Sequence, residues 1–141
     1  MARPVTSPHL FLNPQSLAPP TGFSHVAVPA DGTTVYLGGQ TAHDSLGGIV
    51  GRNVVEQFDR AAANVVAALA AAGGAPEHLV SLHIYVADLA GYRASLPELG
   101  AVYKKHFGRH YPAIALFGVQ GLFDPAALVE LVGIAVVPER Q

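Results

Sequence analysis

Near its C-terminus the chain carries the run Leu128-Val129-Glu130-Leu131-Val132-Gly133-Ile134-Ala135-Val136-Val137, apolar throughout except for one glutamate. A stretch this short and this rich in β-branched residues reads as the central strand of a sheet, buried on both faces. Glu130 is the residue out of place in it. Taking a carboxylate out of water is costly unless donors meet it. Its presence therefore has two readings: a general acid or base in a small pocket, or a sheet-end Glu that sits in water or in a structural hydrogen bond.

The remaining elements follow from periodicity and punctuation. Phe23 to Val28 and Thr34 to Gly39 read as strands, and Asp31-Gly32 between them is a hairpin signal. Asn53 with Glu56 opens a helix in capping-box style. Val54, Phe58, Ala61, Ala62, Val65, Val66 and Leu69 repeat along it at helical spacing, and Gly73-Gly74 stops it. Leu79 to Ala87 alternates as a strand, with Val80, Leu82, Ile84 and Val86 on the buried face and Ser81, His83 and Tyr85 on the other. A second helix is expected from about Ser95 to Phe107, again with a capping box, Ser95 and Glu98, and with Pro97 in the first turn. Strands Ile114 to Val119 and Leu128 to Val137 close the chain, with a turn at Phe123-Asp124-Pro125.

This order, β-β-α-β-α-β-β, predicts an α+β fold, a mixed sheet with two helices packed on one face. The 141 residues form a single domain, 1–141, with residues 1–15 as an extended lead-in. Half of the chain is apolar and only 13% is charged, against roughly 25% for an average soluble domain. So little charge cannot cover a small domain, and burial against further copies of the chain is expected. The same balance excludes a disordered chain. Eight Lys and Arg against ten Asp and Glu, with no basic run, argue against a nucleic-acid partner. The absence of cysteine excludes disulfides and thiolate chemistry. The longest purely apolar stretch, Val65 to Ala72, is too short to span a bilayer, and no secretory signal is present, so a cytoplasmic protein with no membrane partner is expected.

Few other residues invite chemistry. Gly38-Gly39 leaves bare amides that could cradle an oxyanion or carboxylate, or marks a strand end in need of unusual backbone angles. His106 and His110 have i, i+4 spacing, but Gly108 lies between them and no third ligand accompanies them, so no metal is expected. Ser24 lacks the setting of a hydrolase nucleophile, and no phosphate loop is present.

Taken in order, Gly22-Phe23-Ser24-His25-Val26, Val35-Tyr36-Leu37-Gly38-Gly39-Gln40, Glu56-Gln57, Ala72-Gly73-Gly74, Val86-Ala87-Asp88, Tyr111-Pro112-Ala113 and Leu128-Val129-Glu130 resemble the Rid/YjgF family, the reactive-intermediate deaminases, over about residues 16 to 137. The resemblance implies a chorismate-mutase-like fold and a homotrimer, its sheets facing inward and its three clefts lying between subunits. It implies hydrolysis of enamines and imines to carbonyl compounds and ammonia, without a cofactor. Of the family's site residues, the strand-end glycine falls on Gly39 and the water-orienting glutamate on Glu130. The tyrosine falls on Phe23, which lacks the hydroxyl. The arginine that clamps the substrate carboxylate falls on Ile114, and the cysteine on Leu116. Without a guanidinium the usual clamp is lost. Three functions are therefore weighed. The first is a Rid-type enzyme on an altered small-molecule substrate, with Glu130 moving the proton, Gly39 donating to an oxyanion, and Phe23, Ile114 and Leu116 as apolar wall. The second is a non-catalytic trimer that binds a metabolite or partner. The third is the ribonuclease activity of the family's older name, which the charge balance disfavours.

Overall fold

The computed structural model describes residues 6–139. In chain order the elements are β1 (Leu10–Leu12), β2 (Val26–Val28), β3 (Thr33–Tyr36), α1 (Val54–Ala71), β4 (Leu79–Val86), α2 (Leu89–Arg93), α3 (Leu96–Phe107), β5 (Ala113–Gly118) and β6 (Val129–Val137), with a 3-10 turn at Pro76–His78. The fold is α+β. A four-stranded mixed sheet runs β3-β6-β4-β5, with β4 and β5 parallel and the other pairs antiparallel. The apolar run is thus central, hydrogen-bonded on both edges.

Helix α1 begins as its sequence requires. The Asn53 Oδ1 accepts the Glu56 amide at 2.9 Å, and the Glu56 carboxylate reaches back to the Arg52 amide at 3.1 Å. Gly73, at φ +75°, ends it, and the Gly74 amide closes on the Leu69 carbonyl. Its inner face, including Phe58, Val65 and Leu69, packs with Leu99, Tyr103 and Phe107 of α3 on the sheet residues Leu82, Ile84, Val86, Val129, Leu131 and Ala135. Each fully buried Leu, Val or Phe stabilises by roughly 1.5–3 kcal/mol, so this layer holds the domain together.

Several expectations are revised. The segment Phe23 to Val28 is a strand only over Val26–Val28, and it pairs with β1, not with β3. The Asp31-Gly32 hairpin is therefore absent. Gly32 is needed because β6 passes close by: a Cβ there would collide with the Val137 carbonyl. The lead-in holds a strand of its own, tied down by His9. The Ala30 amide donates to Nδ1 of His9 (3.0 Å), which leaves Nε2 to donate to the His78 carbonyl (2.9 Å). Residues 1–5 lie outside the described residues.

In β4 the register shifts between Leu79 and Ser81, which puts Leu79 rather than Val80 in the core. Two helices become three, because Asp88 caps α2 by accepting the Gly91 amide at 3.0 Å. Ser95 makes no side-chain cap to α3. Nor is β6 buried on both faces within the protomer. Val129, Leu131 and Ala135 are fully buried against the helices, whereas Glu130, Val132 and Ile134 are half-buried on the opposite, uncovered face. Among the described residues no helix is long and apolar enough to cross a membrane.

Candidate functional site

Glu130 sits where two local features meet. Beyond β3 the Leu37 amide still donates to the Gly133 carbonyl (3.0 Å), and Gln40 exchanges both hydrogen bonds with Leu131 (2.8 and 2.9 Å). Gly38 and Gly39 together oppose the single residue Val132, which makes a β-bulge. The bulge brings Gly39 beneath the Glu130 side chain. A Cβ at Gly39 would stand 2.8 Å from both Cδ and Oε2 of Glu130, so only glycine leaves the carboxylate room there. The amides of Gly38 and Gly39 donate to no carbonyl among the described residues. No buried side-chain oxygen or nitrogen there lacks a partner, and the half-buried Glu130 carboxylate keeps its oxygens within reach of solvent. The site therefore sets a proton acceptor beside free backbone donors.

Its surroundings on the uncovered face are set by register. Tyr85 of β4 lies directly across from Glu130, and Phe117 of β5 lies across from Tyr85. The two rings stack at 5.4 Å and 21°. The His83 ring lies 5.8 Å from Phe117, and its Nδ1 lies 3.3 Å from the Tyr85 hydroxyl. Alternation in β4 already assigns His83 and Tyr85 to this face, but only the β4–β6 register places Tyr85 opposite Glu130.

Within the protomer Phe23, Ile114 and Leu116 lie away from Glu130, whereas the resemblance puts the site they share between subunits. In β5, Ile114 and Leu116 pair with Leu82 and Ile84, whose side chains enter the helix-side core. Residues on one strand alternate between faces, so both project to the side of the sheet opposite Glu130. With Phe23 they line a cavity of about 840 Å³, enclosed on the helix side by Tyr92, Leu99 and Tyr103. Lys104 and Tyr111 complete its polar margin. The Tyr103 hydroxyl donates to the His110 carbonyl at 2.6 Å. Burial, with Tyr111 and Tyr92 nearby, pushes its pKa well up. Burial alone raises that of Tyr92.

The histidines do structural work. The His106 Nε2 meets Asp59 Oδ1 at 2.5 Å, tying α3 to α1, and this bond, with help from Lys105, lowers the Asp59 pKa. His110 is buried with Nε2 at 2.8 Å from the Leu79 carbonyl. Burial lowers its pKa. Among the described residues no three His, Asp or Glu side chains gather to hold a metal ion.

The sequence profile of the family described as Endoribonuclease L-PSP matches residues 13–137. Among solved structures, a protein of unknown function of the conserved Rid family, YyfB from Yersinia pestis, is 29% identical, with a TM-score of 0.82 over 92% of this chain and 98% of that one. RidA from the Antarctic bacterium Psychrobacter is 25% identical, with a TM-score of 0.65 over 85% and 92%. A member of a highly conserved family that includes YjgF, from Mycobacterium tuberculosis, is 28% identical, with a TM-score of 0.62 over 82% and 87%. No match was found among curated proteins.

Proposed function

The chain belongs to the Endoribonuclease L-PSP family, with Rid and YjgF proteins as structural neighbours, and we propose that it is a small-molecule deaminase of the Rid kind whose substrate differs from the family's simple imino acids. One observation carries this reading: the Glu130 carboxylate stands against the Gly38-Gly39 bulge, with free amides beside it.

The chemistry open to this pair is hydrolysis of an imine. Glu130 takes a proton from water as the water oxygen bonds to the imine carbon, and hands that proton to the imine nitrogen, which restores the carboxylate. The carbinolamine so formed passes its hydroxyl proton to nitrogen through the same carboxyl group. The C–N bond then breaks, releasing ammonia and leaving a carbonyl. The bulge amides can donate to charge developing on the oxygen. No metal or cofactor enters this scheme.

The apolar cavity and Glu130 lie on opposite faces of one sheet, so they cannot serve one substrate within one protomer. In this reading they meet between protomers: the uncovered face of one copy carries Glu130 to the cavity of the next, in a homotrimer. The exposed rings support this. Tyr36 is 76% and Phe117 43% exposed on that face, the kind of apolar surface that marks an interface.

A second reading, a trimer that binds without turnover, draws on Ile114. An isoleucine offers none of the paired hydrogen bonds by which arginine holds a carboxylate. The charge balance favours a small molecule over RNA in either case. Ammonia release from enzymatically generated imines, aliphatic and aromatic, separates the two. Glu130→Gln keeps the shape of the side chain and removes its basicity, so it should lower kcat by roughly 10²–10⁴ with the oligomer intact. A fully active Gln variant would overturn the acid/base role. Turnover of 2-aminoacrylate should be weak.

A further inference from the structure

The helix-side cavity constrains its occupant. Its volume of about 840 Å³ lies in the upper part of the ~300–1,000 Å³ range of pockets that enclose drug-sized molecules. A three-carbon acid displaces only a few waters of ~30 Å³ each and would leave most of it empty. Four rings line the walls: Phe23 from the segment before β2, Tyr92 from α2, and Tyr103 and Tyr111, which stack on each other at 5.3 Å and 7°. Aromatic walls favour flat, polarisable rings in offset or edge-on contact.

Polar groups are few and differently placed. The Tyr103 hydroxyl is already engaged with the His110 carbonyl. Tyr92 also lines the cavity, and burial raises its pKa, which keeps the hydroxyl protonated. Lys104, exposed on α3, is the single cation among the lining residues. The ion pairs among the described residues involve Arg52, Lys105 and His106, not Lys104.

We propose that this cavity takes a ligand with an aromatic or fused ring, seated between Phe23, Tyr92 and Tyr111, and with an acidic group at its periphery met by Lys104. The proposal rests on the reading above in taking the cavity as the substrate's half of the cleft, and it names the substrate class. Recognition is then inverted relative to an arginine clamp. The ring supplies most of the affinity, and the acid is met at the rim by a point charge on a helix rather than by a strand residue.

Titration calorimetry of the whole protein with indole-3-acetate, indole and pyruvate tests this without any chemistry. Indole-3-acetate should bind saturably at one site per protomer, indole more weakly, and pyruvate not at all over the same range. Lys104→Gln should weaken indole-3-acetate roughly two- to fivefold, the scale of an exposed ion pair, and leave indole unchanged. Ile114→Trp, which puts a ring into the cavity, should weaken both aromatic probes by about tenfold or more. Leu116→Trp makes the same test at a partly exposed position should the first variant fold poorly. Pyruvate binding as tightly as indole-3-acetate, or ring binding that survives both substitutions, overturns the proposal. Ring binding by a protein that releases ammonia from no imine supports the ligand class and overturns only the enzymatic reading.

Discussion

Gly39 is a glycine because of its neighbour rather than its own backbone angles. Its φ is not among the positive ones, yet any side chain there would push into the Glu130 carboxylate. His110 shows the opposite case, a titratable group buried for packing. Burial lowers its folded pKa below 6.5, a shift that His9 and His78 reinforce and that Glu77 and the Leu79 hydrogen bond oppose. Between the folded and unfolded values the unfolded chain holds the extra proton, so falling pH favours unfolding in that window. The stability involved is present above about pH 6.5 and is lost as pH falls toward the folded value. His110→Gln retains a donor for the Leu79 carbonyl and cannot titrate. Urea midpoints at pH 7.5 and 5.5 should therefore fall less for this variant than for the parent, and equal losses would remove His110 as the cause. Glu130 was readable as a candidate because it is the only charged residue in its strand. Tyr85 and Phe117 were not readable as its neighbours, because nothing local in β4 or β5 states which residue of β6 they face.

At the level of elements, local chemistry was legible wherever it acts alone. The Asn53 cap needs only the four residues that follow it. Asn53→Ala should cost about 1 kcal/mol, seen as a lower urea midpoint with an unchanged slope, and no change would mean that tertiary packing alone sets the start of α1. Helix α2 escaped because five residues are too few for a periodic signal, although Asp88 three residues before Gly91 is a cap pattern. The strands were harder. Asp31-Gly32 has the composition of a hairpin turn, but β1 takes the edge of β2, and the glycine answers to the Val137 carbonyl. The shift at Leu79 and the bulge at Gly38-Gly39 each move one residue across the sheet, and a pattern of period two cannot register a slip it has no partner to be measured against.

For the whole molecule, the uncovered sheet face is the surface on which the proposed trimer rests. The Phe117 ring lies there against Tyr85, exposed in the protomer and buried in the proposed trimer. Phe117→Asp should place a desolvated charge in that interface and convert a trimer to monomers, as read by light scattering at micromolar concentration. A parent protein that is itself a monomer would end the trimeric reading and with it the shared cleft. Short-range physics left its mark in the residues alone: the α+β class, the capped helix α1, the central apolar strand, the lone carboxylate in it, and a low share of charged residues. Tertiary structure decided which face each site residue occupies. Within the protomer the pairing of β5 with β4 turns Ile114 and Leu116 into the helix-side cavity, whereas the pairing of β6 with β4 and the bulge after β3 hold Glu130 and Gly39 on the other side, so the shared cleft that the resemblance implies needs a second copy. The face a strand residue occupies depends on hydrogen bonds to residues distant in the chain, and those exist only once the sheet has formed.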